Sequence, residues 1–195
     1  EALRNANVTI IESGQSDNEF TTVTNIQGEY SVIVTLADVS KKLDGSHIRE
    51  AYATLRISEA EETSRKFLEP TISGEPSGET PGKGEFFGFG VDAGTACFVD
   101  VESLKEGMPD PDTWYEDLFE NENPECWFNL MDNSSNIRNG IANIALPNSK
   151  CGNNLVLFHT GWGDGFYPVI GGYDNQGDLV AIHIDFFVIS NPEEE

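Results

Sequence analysis

Basic side chains are scarce in this sequence. Lys and Arg together number 11 against 34 acidic residues, leaving a net charge of −23 and an isoelectric point near 4.2. A nucleic-acid binder needs a basic face to neutralise phosphates, so no nucleic acid is expected among the partners. An anionic membrane surface repels the chain for the same reason, so no membrane is expected either. Long apolar runs are missing too. No stretch approaches the roughly 20 apolar residues of a spanning helix, and no basic-then-apolar leader opens the sequence. Cysteines number three, Cys97, Cys126 and Cys151, with no Cys-x-x-Cys spacing. An odd count is a poor disulfide framework, which predicts a cytoplasmic protein, with a secreted or cell-surface one as the alternative. The three histidines, His47, His159 and His183, have no partner one helical turn away, so a zinc site of the usual spacing is not expected. Gly-x-Ser-x-Gly, a phosphate loop and a paired-histidine helix are all absent. The first residue is Glu1 rather than Met, which predicts a processed product or a piece of something longer.

What is present is enough for a core. The chain has 195 residues, 38% of them hydrophobic and 10% aromatic, which predicts a single domain over 1–195. Val8–Glu12 and Phe20–Thr24 are short β-branched runs, and Asn25-Ile26-Gln27-Gly28 is a turn feeding the next one. Tyr30–Leu36 and Ala51–Ile57 alternate apolar and polar residues with the period of half-buried strands. Glu59–Leu68 is charged and predicts a short helix or an irregular crossing. Residues 73–84 are rich in Gly, Pro and Ser and predict a flexible excursion without a core, or a seam between two halves. Glu85–Val91 and Thr95–Val101 read as strands around Asp92-Ala93-Gly94. Between Asp110 and Leu130 the pattern turns helical, with Asp112 as the expected cap, inside an acidic insert at about 101–132. Strands return at Ile141–Leu146, Leu155–Thr160, Phe166–Tyr173 and Leu179–Ile189. Asp174-Asn175-Gln176-Gly177 joins the last two as a tight hairpin. Short links favour antiparallel pairing. The expected class is α+β and β-dominated: a mostly antiparallel sheet or sandwich with a short helical insert.

The segment Gly161-Trp162-Gly163-Asp164-Gly165-Phe166-Tyr167-Pro168 carries a resemblance. With Gly172-Tyr173-Asp174, Gly177 and Asp185-Phe186, it resembles a mainly bacterial family catalogued as domain of unknown function 4241. Val91-Asp92-Ala93-Gly94 leading to Cys97-Phe98-Val99-Asp100, and Gly28-Glu29-Tyr30-Ser31-Val32, fit the same pattern, so the likeness spans about residues 25–190. Gly171 departs from it, since the pattern often has a larger residue there. The resemblance implies no established activity. The amino end alone is also similar to the small β-sandwich found beside carboxypeptidases and surface receptors, through Asn7-Val8-Thr9-Ile10, Thr21-Thr22-Val23-Thr24-Asn25 and Gly28–Val32.

Asp92, Asp100, Asp164 and Asp185 are the carboxylates inside these motifs. Brought together from adjacent strand ends, they would offer Ca²⁺ or Mg²⁺ an oxygen-rich site. Asp92 and Asp164 could instead work with His159 in acid–base chemistry. The competing expectation is ordinary turn chemistry, each Asp bonding nearby backbone N–H groups. Trp162 and Tyr167 are candidate contact residues, or a core plug and a strand anchor. Acid is concentrated locally: residues 101–132 hold ten acidic side chains and one basic one, Lys105. Trp114, Tyr115, Phe119 and Trp127 are interleaved with that acid. The leading expectation is therefore a non-catalytic, acidic interaction module without a cofactor, of an inhibitor or immunity type, binding a basic protein partner. The alternative is a metal-dependent hydrolase or a Ca-binding domain on the four aspartates.

Overall fold

The computed structural model describes residues 17–22, 31–37, 49–71, 77–136, 139–150 and 152–188. The predicted strand Val8–Glu12, the turn Asn25–Gly28 and most of the amino-terminal β-sandwich likeness lie outside them. Ten strands and three short helices are described: β1 (Asp17–Thr22), β2 (Ser31–Ala37), β3 (Arg49–Arg56), β4 (Ser64–Phe67), β5 (Gly88–Val91), β6 (Thr95–Phe98), α1 (Val101–Gly107), α2 (Trp114–Leu118), α3 (Trp127–Asp132), β7 (Ile141–Ala145), β8 (Asn154–His159), β9 (Gly165–Tyr173) and β10 (Leu179–Asp185). The protein is β-dominated, as its alternating runs predict.

Contacts divide the chain into two compact units, one holding residues 96–159 and the other the described parts of 33–95 and 160–188. The chain changes unit at 95/96 and at 159/160, so the 73–84 stretch lies within a unit rather than at a seam.

The first unit is built on the three-stranded order β6-β8-β7. β7 and β8 pair antiparallel, from Ile141 opposite Phe158 to Ala145 opposite Asn154. Leu155 to Phe158 on β8, the central strand of the three, are all buried. Covering helices bury Phe119, Trp127 and Met131 against Ile144, Leu146, Leu155 and Leu157. The strand predicted over Thr95–Val101 ends early, at Phe98, because Asp100 caps α1 with its Oδ1 accepting from the Ser103 N–H at 2.8 Å. The single helix predicted between Asp110 and Leu130 is instead two short ones, α2 and α3. Pro109, Pro111 and Pro124 lack the N–H that a continuous helix needs, and Asp112 caps nothing.

The long sheet is ordered β1-β2-β3-β10-β9-β4, with β5 also on β9; β3, β4, β5, β9 and β10 belong to the second unit. β10 pairs antiparallel with β3 and with β9, and the β9–β10 hairpin turns as predicted. Asp174 Oδ1 accepts from the N–H groups of Gln176 and Asp178, both at 2.9 Å, and Gly177 takes φ 89°. Glu59–Leu68 is corrected in type: it contains strand β4, all four residues exposed, held by backbone pairing with β9 rather than by any apolar face.

Candidate functional site

The glycine-rich motif after β8 folds around one buried tyrosine. Tyr167 is buried, and its hydroxyl lies 3.0 Å from the Thr160 carbonyl oxygen and 2.9 Å from that of Gly163. Thr160 Oγ1 also donates to Gly163 O at 2.8 Å. Tyr167 is thus an anchor rather than a contact residue. Asp164 reaches across to the β5–β6 turn, where its Oδ1 accepts from the Gly94 N–H at 2.7 Å, while the Thr160 N–H donates to Gly94 O at 3.0 Å. That clasp fixes a turn in which Ala93 (φ 77°) and Gly94 (φ 63°) are both left-handed.

Three of the four motif carboxylates therefore act on backbone. Asp164 holds Gly94, Asp100 caps α1, Asp185 Oδ1 accepts from the Phe187 N–H at 2.8 Å, and Asp92 is exposed on its turn. Among the described residues, no group of three or more His, Cys, Asp or Glu side chains could hold a metal ion. His159, on β8, lies in the other unit from Asp92 and Asp164, and its Nε2 is 3.1 Å from Asp132 Oδ1.

Trp162 leads to the feature that the sequence reading missed. Its Nε1 donates to the Phe187 carbonyl at 3.1 Å, while Asp185 holds the Phe187 N–H. Between these two struts Phe187 sits at φ 56°, a left-handed conformation that costs a non-glycine residue about 1–3 kcal/mol. Held there, its ring meets Phe86 edge-on at 5.6 Å and Tyr167 at 6.2 Å. Phe86 in turn stacks on Phe166 at 5.7 Å and leans on Phe67 at 6.2 Å. Phe67 (44% accessible), Trp162 (47%) and Phe166 (53%) remain largely open to solvent.

Phe67, Phe86, Phe87 and Phe187 line a groove of about 730 Å³, with Lys66, Glu79, Pro81 and Glu85 among its polar and turn residues. The turn-rich stretch before Phe86 was expected to be a bare excursion. Its described part is a wall, kept in shape by Glu85 Oε2 accepting from the Gly82 N–H at 3.0 Å. The sequence signal was there: Phe67 just before the polar stretch and Phe86-Phe87 just after it.

A second polar feature lies on β10. His183 is buried between the Thr54 hydroxyl, 2.9 Å from Nδ1, and the Glu62 carboxylate, 2.7 Å from Nε2. A carboxylate only accepts, so Nε2 carries the proton and Nδ1 accepts from Thr54. Burial holds the His183 imidazole below its ordinary value, against the opposing pull of Glu62. Desolvation raises the Glu62 carboxyl, but hydrogen bonds from Arg65 and His183 outweigh it and hold the group low. Glu62 fits because position 172 is glycine, where a Cβ would fall on the carboxylate. At Gly171 the vacant side-chain space is taken by the Tyr173 ring.

The acidic insert sorts by residue type. All ten of its acidic side chains are exposed. Phe119 and Trp127 are buried and Trp114 is half-buried against the same core; of the four interleaved aromatics only Tyr115 is exposed. The insert presents carboxylates and one ring, not an aromatic face.

Among the described residues, no helix is long and apolar enough to cross a membrane. The family model described as "Protein of unknown function (DUF4241)" matches residues 4–184. No curated protein and no solved structure matches the chain.

Proposed function

Because the chain belongs to this family, whose description carries no activity, we propose its function from its own geometry: a non-catalytic acidic interaction module that binds a basic protein partner. The observation that carries this reading is the aromatic groove. Contiguous exposed apolar surface marks a partner site. On a chain of net charge −23, the partner that gains most from approach is a basic one. The exposed carboxylates of 101–132 add to that field, and they favour a fast encounter more than a tight grip. The metal-dependent hydrolase or Ca-binding alternative has no cluster of aspartates among the described residues to rest on.

The test is surface plasmon resonance on the immobilised intact chain, with a panel of small basic proteins beside acidic ones of equal size. Saturable binding to basic members is expected, with an association rate falling steeply as salt screens exposed charges beyond about 8 Å. Equal binding of both panels, or binding of neither, overturns the reading.

A further inference from the structure

We propose that the groove docks an extended peptide segment flanked by Lys or Arg, which adds a strand to β4 and lowers one apolar side chain among Phe67, Phe86 and Phe187. This deepens the reading above and rests on it.

The sheet edge is built for such an arrival. β4 and β5 share one edge of β9 end to end, β4 opposite Tyr173 to Ile170 and β5 opposite Pro168 to Gly165. Val169 serves both, its carbonyl accepting from the Leu68 N–H at 2.8 Å and its N–H donating to Phe87 O at 3.0 Å. The chain leaves the sheet at Leu68 and returns at Phe87, and the groove lies against that gap. Among the described residues β4 is the last strand in the order, and all four of its residues are exposed. An edge strand's outward N–H and C=O groups are a template for another strand, and peptides bind sheet edges in this way. A residue placed opposite Phe67 on an added strand points to the same face as the Phe67 ring, and so toward the groove.

Charge selects the occupant. Of the lining residues, Lys66 has its Nζ 5.4 Å from the Tyr173 ring centre, while Glu79 and Glu85 supply the carboxylates. A second copy would bring another −23 against the first, and an anionic lipid surface is repelled likewise. A cationic segment is drawn in. The strained Phe187 supports the same use, since left-handed non-glycine residues held by neighbours cluster at ligand clamps.

Random peptides displayed on phage are selected on the intact chain at physiological salt, and the winners are synthesised. They should carry one apolar residue with Lys or Arg at alternate flanking positions. Phe67→Ser, at a largely exposed position, keeps the fold by circular dichroism and weakens the winners by about 30-fold, as loss of an anchor does. Glu79→Lys should slow their association and flatten its salt dependence. Backbone N-methylation of a winner should abolish binding when placed at one set of alternate residues and leave it intact at the other. Neutral or acidic winners, equal binding to Phe67→Ser, or indifference to N-methylation at both sets each overturn the proposal. So does a dimer in sedimentation equilibrium that Phe67→Ser dissolves. If basic proteins bind the intact chain and Phe67→Ser alike, the groove inference falls while the basic-partner reading stands. If none binds, both fall.

Discussion

Two sets of aromatic residues, one in each unit, have opposite fates. In residues 96–159 they turn inward: Phe119 and Trp127 meet at 4.8 Å under the helices, and Trp114 meets Phe119 edge-on at 5.4 Å. The carboxylates between them are left outside. In the other unit, Phe67, Phe166 and Trp162 stay largely exposed, and Phe67 lines a groove, although the glycine-rich motif looks less like a binding surface than the acidic insert does. An aromatic set among charges on short helices is the inner face of those helices, since each helix has one stripe to bury. Rings carried on strand ends and turns have no such stripe, and there a backbone strut such as Trp162 to Phe187 decides where a ring goes.

Paired truncations break or sharpen this contrast most directly. Trp127→Ala should cost about 3–5 kcal/mol, the loss expected for a buried aromatic whose site collapses only partly. Phe166→Ala, at a site 53% accessible, should stay within about 1 kcal/mol and act on partner binding instead. Urea denaturation of both variants is the check. A Trp127→Ala midpoint close to that of the unaltered protein would mean that the insert is a surface after all.

The next effect is pH-dependent and belongs to one unit only. Glu62→Ala leaves buried His183 without its acceptor and should cost about 1–3 kcal/mol at neutral pH. In the intact chain, folded His183 takes its proton less readily than the unfolded residue, whose ordinary value is 6.5. Protons therefore favour the unfolded state as pH falls through that value, and stability drops there. Glu62, held below its ordinary 4.5, adds a second loss as pH falls through 4.5 and below. Arg56 and Arg65, which also face the imidazole, oppose its protonation and keep the first step in place. Denaturant midpoints measured from about pH 8 to 5 should decline in the intact protein and flatten in His183→Gln. A midpoint that rises toward pH 5 would reverse the sign and the assignment of the neutral imidazole.

Legibility in the sequence followed the range of the interaction. The β9–β10 hairpin was readable because its chemistry is local, an Asx turn and one glycine between two apolar runs. The β-dominated class was readable from alternation alone. α1 was missed although its cap is local, because Val99 and Val101 around Asp100 looked like a continuing strand. The groove was only half legible: Phe67 and Phe86-Phe87 bracket the polar stretch, but they meet Phe187 only after β9 changes partner at Val169. Glu62 and His183 lie 121 residues apart, and nothing short-range announces the pair. Three of the four motif aspartates, Asp164, Asp100 and Asp185, hold the backbone of Gly94, Ser103 and Phe187, the ordinary turn chemistry that was the competing expectation.

Gly177→Val tests the local end of that scale. At φ 89° a β-branched residue is strained, so the hairpin should lose about 1 kcal/mol or more. Nothing lies within 4 Å of a Cβ added there, so the loss would be conformational rather than a clash. An unchanged melting temperature would show that the turn relaxes at no cost.

The smallest stability effect should come from the acidic insert, and it is the most telling for function. Glu116, Asp117 and Glu120 are all exposed, and the hydrogen bonds described there, from Asn121 Nδ2 to Glu116 O and Asp117 O, use backbone oxygens that a substitution keeps. Reversing all three to Lys loses the favourable placement of Glu116 and Asp117 in the first turn of α2, worth a few tenths of a kcal/mol each, and relieves repulsion among neighbours. The midpoint should therefore move by less than about 1 kcal/mol. The association rate with a basic partner should fall at low salt and converge on that of the unaltered protein at high salt, with the dissociation rate unchanged, because exposed charges steer and buried contacts hold. Phe67→Ser should do the reverse, raising the dissociation rate at every salt concentration. Measuring both variants by surface plasmon resonance separates the two regions: if the charge reversal also speeds dissociation, the insert grips the partner and the division between a steering face and a docking groove is wrong.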